Sequence, residues 1–159
     1  MAGYLLLFCS LLLLFPLESV GNATTFSADD ITGVWEVQAG DGHIEIVRCG
    51  DKYCGSIVWL QEPLYPPDDT GGMPGKPLVD RENPRKELRG RPLVGLKMMA
   101  GYTFRGNNLW DEGNIYNTVN GRTYSSRISL KSQDVLELRG YIGVPLLGRS
   151  TLWKRVAKQ

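Results

Sequence analysis

Catalytic side chains in usable patterns are scarce in this chain. Its one histidine, His43, stands beside a turn at the start of an alternating apolar stretch. A single imidazole there assembles neither a nucleophilic triad nor a histidine-based metal site. Ser125, Ser126 and Ser129 fall in a strand-like run and not on the Gly-x-Ser-x-Gly turn that exposes a nucleophile. Gly71-Gly72-Met73-Pro74-Gly75-Lys76-Pro77 has the glycines and lysine of a phosphate loop without its spacing. Pro77 occupies the hydroxyl position, and two prolines remove amides that a phosphate would need. Asp68, Asp69, Asp80, Glu82 and Asn83 offer oxygen ligands to a hard cation, but the spacing is not that of a calcium loop, and they read as solvated loop groups. No catalytic residue, metal site or cofactor is expected. A hydrolase working through Asp80 and Glu82 is kept as a third reading.

Two other constellations bear on binding. Asp80, Asn83, Arg89 and Arg91 form the most distinctive polar group. They either grip an anionic head group at a barrel mouth through bidentate guanidinium contacts, or cap turns and lock a long loop onto the body of the fold. The lock is preferred. Trp59, Met98, Tyr102, Trp110, Tyr116 and Tyr124 carry large surfaces with a few polar tips, which suits a small-molecule cavity. Met98 and its neighbour Met99 add adaptable surface. The alternative is that these side chains simply fill a barrel of this size, and both stay open.

Cys49 and Cys54 flank Gly50-Asp51-Lys52-Tyr53. Gly50-Asp51 is turn material, so the cysteines are expected to face each other across a hairpin, within disulfide reach. A free pair and half a metal site are the other readings, and no second Cys or His cluster exists to complete a metal site.

The amino end points to export. Leu5 to Phe15 is apolar apart from Cys9 and Ser10, ends at Pro16, and is followed by small and polar residues up to Ala23. That is the layout of a cleavable signal over 1–23, and the run is short of the ~20 residues a spanning helix needs. Residues 24–30 then read as a short linker and 31–159 as one domain. The net charge is +1, and losing Glu18 with the signal makes it one unit more positive. So small a charge, with both signs interspersed, argues against a nucleic-acid partner. Periplasmic or secreted localisation is expected, with membrane contact only through the export segment.

The elements that must position these residues are strands. Ile31–Gln38, His43–Arg48, Gly55–Leu60, Leu93–Phe104, Leu109–Tyr116, Arg122–Leu130, Val135–Tyr141 and Arg149–Val156 alternate or run apolar between turn signals, with Asn120-Gly121 marking a type I′ hairpin. Seven of the nine prolines crowd into 61–92, a loop of a length that is often functional. Asn83 is placed to cap a turn through Pro84–Arg89. Short sequential connections favour an all-β antiparallel meander closed into a barrel, which removes edge strands.

Gly33-Val34-Trp35 in the first strand and Trp153-Lys154-Arg155 in the last resemble the lipocalin and calycin pattern. In such barrels a first-strand Trp plugs the closed end and a late Arg lies across its indole, which implies structural roles for Gly33, Trp35 and Arg155. The wider pattern adds Cys54-Gly55-x-Ile57-Val58-Trp59-Leu60, Asp80-x-x-Asn83-Pro84, Leu88-Arg89-x-Arg91-Pro92-Leu93, Trp110-x-x-Gly113-x-Ile115-Tyr116-Asn117, Leu138-Arg139-Gly140-Tyr141 and Thr151-x-Trp153. Over residues 31–156 it resembles the bacterial family DUF2147, a domain of unknown function. The resemblance implies an exported, lipocalin-like barrel and brings no agreed reaction. Asn117-Thr118 departs from the family's usual Asp-Pro. The leading expectation is a binding module for a small apolar or amphipathic ligand, such as a fatty-acid-like molecule. An interaction module that contacts an envelope protein through the 61–92 loop is the alternative.

Overall fold

The computed structural model describes residues 25–157, and the expected export signal lies outside the described residues. Eight strands are found among them: β1 (Gly33–Glu36), β2 (Gly42–Cys49), β3 (Lys52–Leu60), β4 (Lys97–Phe104), β5 (Leu109–Asn117), β6 (Arg122–Ser132), β7 (Val135–Tyr141) and β8 (Arg149–Arg155). They pair in chain order, each antiparallel to the next. The pairing of Trp35 with Arg155 joins β1 to β8 and closes the barrel.

Period-two alternation sets the inward face. In β6, Ser126, Ile128 and Leu130 are buried, as are Leu136 and Leu138 opposite Leu130 and Ile128 in β7. Trp153 of β8 pairs with Leu136, and Ile44 and Ile46 complete the row in β2. With Trp35, Trp110, Tyr53 and Tyr102, these side chains form one continuous core.

The closed end is built around Trp35. Its indole is fully buried and donates from Nε1 to Ile31 O at 2.9 Å. The Arg155 guanidinium lies 4.1 Å from the ring centroid. From there it donates to the carbonyls of Thr32, Asp30 and Gln133 at 2.6–2.7 Å. A planar cation suits this place because it stacks on the ring and donates outward at the same time. Gly33 has φ +123°, and a Cβ there would stand 2.8 Å from Arg155 Nη1. The Gly-x-Trp pattern is therefore a steric requirement of the stacked arginine.

Of the stretch 24–30 expected as a linker, the described residues 25–30 cap that end. Phe26 is buried in the core, Ala28–Ile31 is a 3-10 turn, and Ala28 O accepts from Trp110 Nε1 at 3.1 Å. The Asp29 carboxylate accepts from the Tyr53 hydroxyl at 2.6 Å and from Arg48 at 2.8 Å. Those hydrogen bonds hold its pKa below the usual carboxylate range. Burial, then the bond to Asp29, push Tyr53 up to about 12.

Three local expectations are also corrected. Strand β4 starts at Lys97 and not at Leu93, so the long connection runs over 61–96. The β5–β6 turn has four residues, with Gly121 N–H donating to Asn117 O and the Asn117 side chain capping Val119 N–H. Asn120 does not have the positive φ that a type I′ turn demands. The cysteines form the disulfide, but diagonally: Cys49 is registered with Lys52, and Cys54 with Val47.

Candidate functional site

The turns after β1, β3, β5 and β7 lie at the end opposite the Trp35 plug, and that end is hollow. A cavity of about 1080 Å³ opens there. Its apolar wall includes Val37, Met98, Ile115, Leu138, Ile142, Leu147 and Trp153. Glycine makes part of the space. Gly140 occupies the inward position above Leu138, and a Cβ there would touch only Ile115, at 3.9 Å. Thr151 and Arg149 continue the inward row of β8, Arg149 being registered with Gly140.

Polar groups in the wall are largely satisfied within the protein. The Tyr116 hydroxyl donates to Asp80 Oδ1 at 2.6 Å, and the Tyr124 hydroxyl accepts from Asn120 Nδ2 at 3.0 Å. Trp153 Nε1 donates to Thr151 Oγ1 at 3.1 Å, and Gln38 Oε1 accepts from Leu152 N–H at 2.9 Å. Among the described residues one charged side chain lines the cavity, Arg149 at the rim, and no carboxylate does. The chamber suits an apolar body, with any polar or anionic end left at the mouth.

Met98, Tyr116 and Tyr124 of the sequence-expected set line this cavity. Trp59, Tyr102 and Trp110 do not. A bulge between His43 and Ile44 breaks the alternation of β3 and pairs Trp59 with outward-facing His43. The two rings stack outside the barrel with centroids 4.4 Å apart, and Trp59 is 42% exposed. Tyr102 is packed below the cavity. Its ring covers Gly113, where any Cβ would collide with it, and its hydroxyl meets Ser126 Oγ at 2.5 Å. Burial keeps that hydroxyl protonated far above the usual phenol range. Trp110 belongs to the closed end, against Phe104.

The polar quartet sits outside the cavity wall. Asp80 is fully buried, and its carboxylate accepts from Tyr116, from Asn83 Nδ2 at 2.7 Å, and from Arg91 Nε and Nη2 at 3.0 and 2.8 Å. Burial alone would raise its pKa, but the donors from Tyr116, Asn83 and Arg91 outweigh it and hold the group ionised below its ordinary range. Burial and the Asp80 contact push Tyr116 up to about 12. Asn83 Oδ1 accepts from Arg85 N–H at 2.9 Å, and Arg89 Nε donates to Asn83 O at 2.7 Å. Glu82 O packs so close to Gly121 that no side chain fits there. The quartet thus joins the long loop to β5 and the β5–β6 turn, beside the cavity mouth. Further along the loop, Asp69 is paired with Arg81 at 3.0 Å, while Asp68 and Glu82 are exposed.

Much of the cavity escaped sequence reasoning: Val37, Leu138, Gly140, Leu147, Arg149 and Trp153. The period of β7 carried a usable signal, since Leu136 and Leu138 lead inward to a glycine. Which end was hollow had no local signal.

Residues 33–155 match the family described as "Uncharacterized protein conserved in bacteria (DUF2147)". The chain belongs to that family. Protein HP1028 from the human pathogen Helicobacter pylori, described as belonging to the lipocalin family, has a similar structure, with a TM-score of 0.64 and 23% sequence identity. The likeness covers 79% of this chain and 82% of that one. At this identity the DUF2147 chain shares the fold, and the eight-stranded meander is lipocalin-like. No curated protein matches the sequence.

Proposed function

We propose that this DUF2147 protein is a non-catalytic binding module, exported to the periplasm or secreted, that holds a small apolar or amphipathic ligand in the barrel mouth. The observation that carries the reading is the cavity of about 1080 Å³ with an apolar wall, polar side chains that largely satisfy one another, and one cation at the rim. An elongated amphiphile such as a fatty acid fits this arrangement, with its chain against Val37, Leu138 and Trp153 and its head near Arg149. The Cys49–Cys54 disulfide suits an oxidising compartment. A hydrolytic role for Asp80 finds little support, because both its oxygens are engaged by Tyr116, Asn83 and Arg91.

Native mass spectrometry of the purified protein, followed by titration of the stripped protein with fatty acids, tests the proposal. Gly140→Leu places a branched side chain inside the cavity and is expected to weaken binding about tenfold or more without lowering the melting temperature. Equal affinity in Gly140→Leu, or no retained or added amphiphile in the parent, would sink the cavity reading.

A further inference from the structure

Tyr141 at the end of β7 and the seven residues Ile142-Gly143-Val144-Pro145-Leu146-Leu147-Gly148 between β7 and β8 carry no charge and include four aliphatic side chains turned to solvent. Leu146 is 85% exposed, Leu147 79% and Ile142 71%. Beside them, on the β5–β6 turn, Val119 is also exposed. Scattered exposed apolar residues are ordinary, whereas this concentration on one protruding segment marks a contact surface.

We propose that this loop docks the barrel, mouth first, onto a lipid bilayer bearing anionic head groups. Backbone chemistry favours a bilayer as the occupant. A segment that dips toward the hydrocarbon loses less when its polar backbone groups are already paired. Here the carbonyls of Ile142, Val144 and Pro145 accept from the N–H groups of Val144, Leu147 and Gly148. Arg139 adds donors to Pro145 O at 2.6 Å and Leu146 O at 3.0 Å, and Pro145 has no N–H to satisfy. The loop is held in shape from the protein side while Ile142, Val144, Leu146 and Leu147 stay mostly exposed.

Charge supplies the second reason. Arg149 ends the loop, and Arg122 begins β6 just beyond Ser125, the partner of Tyr141. Among the described residues neither guanidinium pairs with a carboxylate. Apolar side chains flanked by a tyrosine and free arginines match the layering of a membrane interface. Ile142, Leu147 and Arg149 also line the cavity, so docking sets its mouth against the lipid. An amphiphile could then enter without crossing water. That last step rests on the proposed ligand binding; the docking does not.

Vesicle flotation tests the docking. The protein is a chain from Thr25 onward, which holds every strand of the closed barrel, so the apolar amino-terminal run cannot cause capture. Phosphatidylcholine vesicles with and without phosphatidylglycerol are the probes. The parent is expected to float with the anionic vesicles. L146E/L147E is expected to lose about tenfold or more of that binding, and R122Q/R149Q several-fold, with melting temperatures unchanged. Failure of the parent to float, equal binding by L146E/L147E, or binding indifferent to lipid charge overturns the proposal. Sedimentation without vesicles provides the other outcome. A parent that self-associates and an L146E/L147E variant that does not, with no vesicle capture, would assign the loop to a second copy of the chain.

Discussion

At the scale of single residues, the fold depends on a few groups whose neighbours leave them no freedom. Gly33 must be glycine because a Cβ would enter the space of the Arg155 guanidinium. Gly33→Ala is therefore expected to cost about 1–3 kcal/mol in chemical denaturation, from strain at positive φ and displacement of the arginine. Arg155→Lys should recover little in an Arg155→Ala comparison, since an ammonium cannot stack flat and reach three carbonyls. Asp80 makes the second prediction. Its pKa is lower folded than unfolded, so its contribution is complete above the unfolded value of about 3.9 and is lost as pH falls through the lower folded value. Urea midpoints across the acid range should show the parent losing stability steeply below about pH 4. Asp80→Asn should begin about 2–4 kcal/mol weaker at neutral pH, with a shallower acid decline. Identical acid slopes in the two proteins would show that the buried carboxylate does not lock the loop.

At the scale of elements, hairpins were the most legible feature, because turn residues and period-two alternation are local. Strand β7 lies where the apolar alternation places it, and β6 only two residues longer. Boundaries moved where distant contacts take over. Leu93–Leu96 looks like strand but is held by single backbone bonds: Leu93 N–H donates to Leu78 O, Ile57 N–H to Leu96 O, and Gly95 N–H to Ile57 O. Residues 24–30 look like a linker because nothing in their sequence announces that Trp110, Tyr53 and Arg155 will need acceptors at that end. The β2–β3 hairpin gives a third prediction. Closing so short a loop with Cys49–Cys54 is worth about 2 kcal/mol, so the C49S/C54S variant should lose about that much in denaturant titration. A barrel indifferent to the change would mean that the strand pairing alone fixes this hairpin.

At the scale of the whole molecule, one end of the barrel is packed and the other hollow. Trp35, Trp110, Tyr53 and Tyr102 fill the closed half, whereas the row Leu136, Leu138, Gly140 runs from core to open space. That gradient explains why Gly140→Leu is expected to weaken ligand uptake at no cost in stability. The added side chain enters a void, so it meets little of the strain that overpacking causes in a filled core. Calorimetry of the parent and variant with and without a fixed concentration of fatty acid checks it: ligand should raise the parent's melting temperature more than the variant's.

The residue order by itself determined a meander of antiparallel strands and its disulfide, because alternation and turn chemistry lie within short stretches of chain, while the meeting of Gly33, Trp35 and Arg155 was implied by the resemblance to the lipocalin pattern. Only the tertiary structure decided which aromatics face a cavity. A single bulge turned Trp59 outward, and depth along the barrel axis sent Tyr102 and Trp110 into the packed half. Face alternation specifies inside or outside, but depth along the axis depends on how all eight strands stagger against one another, and no local stretch of sequence carries that sum.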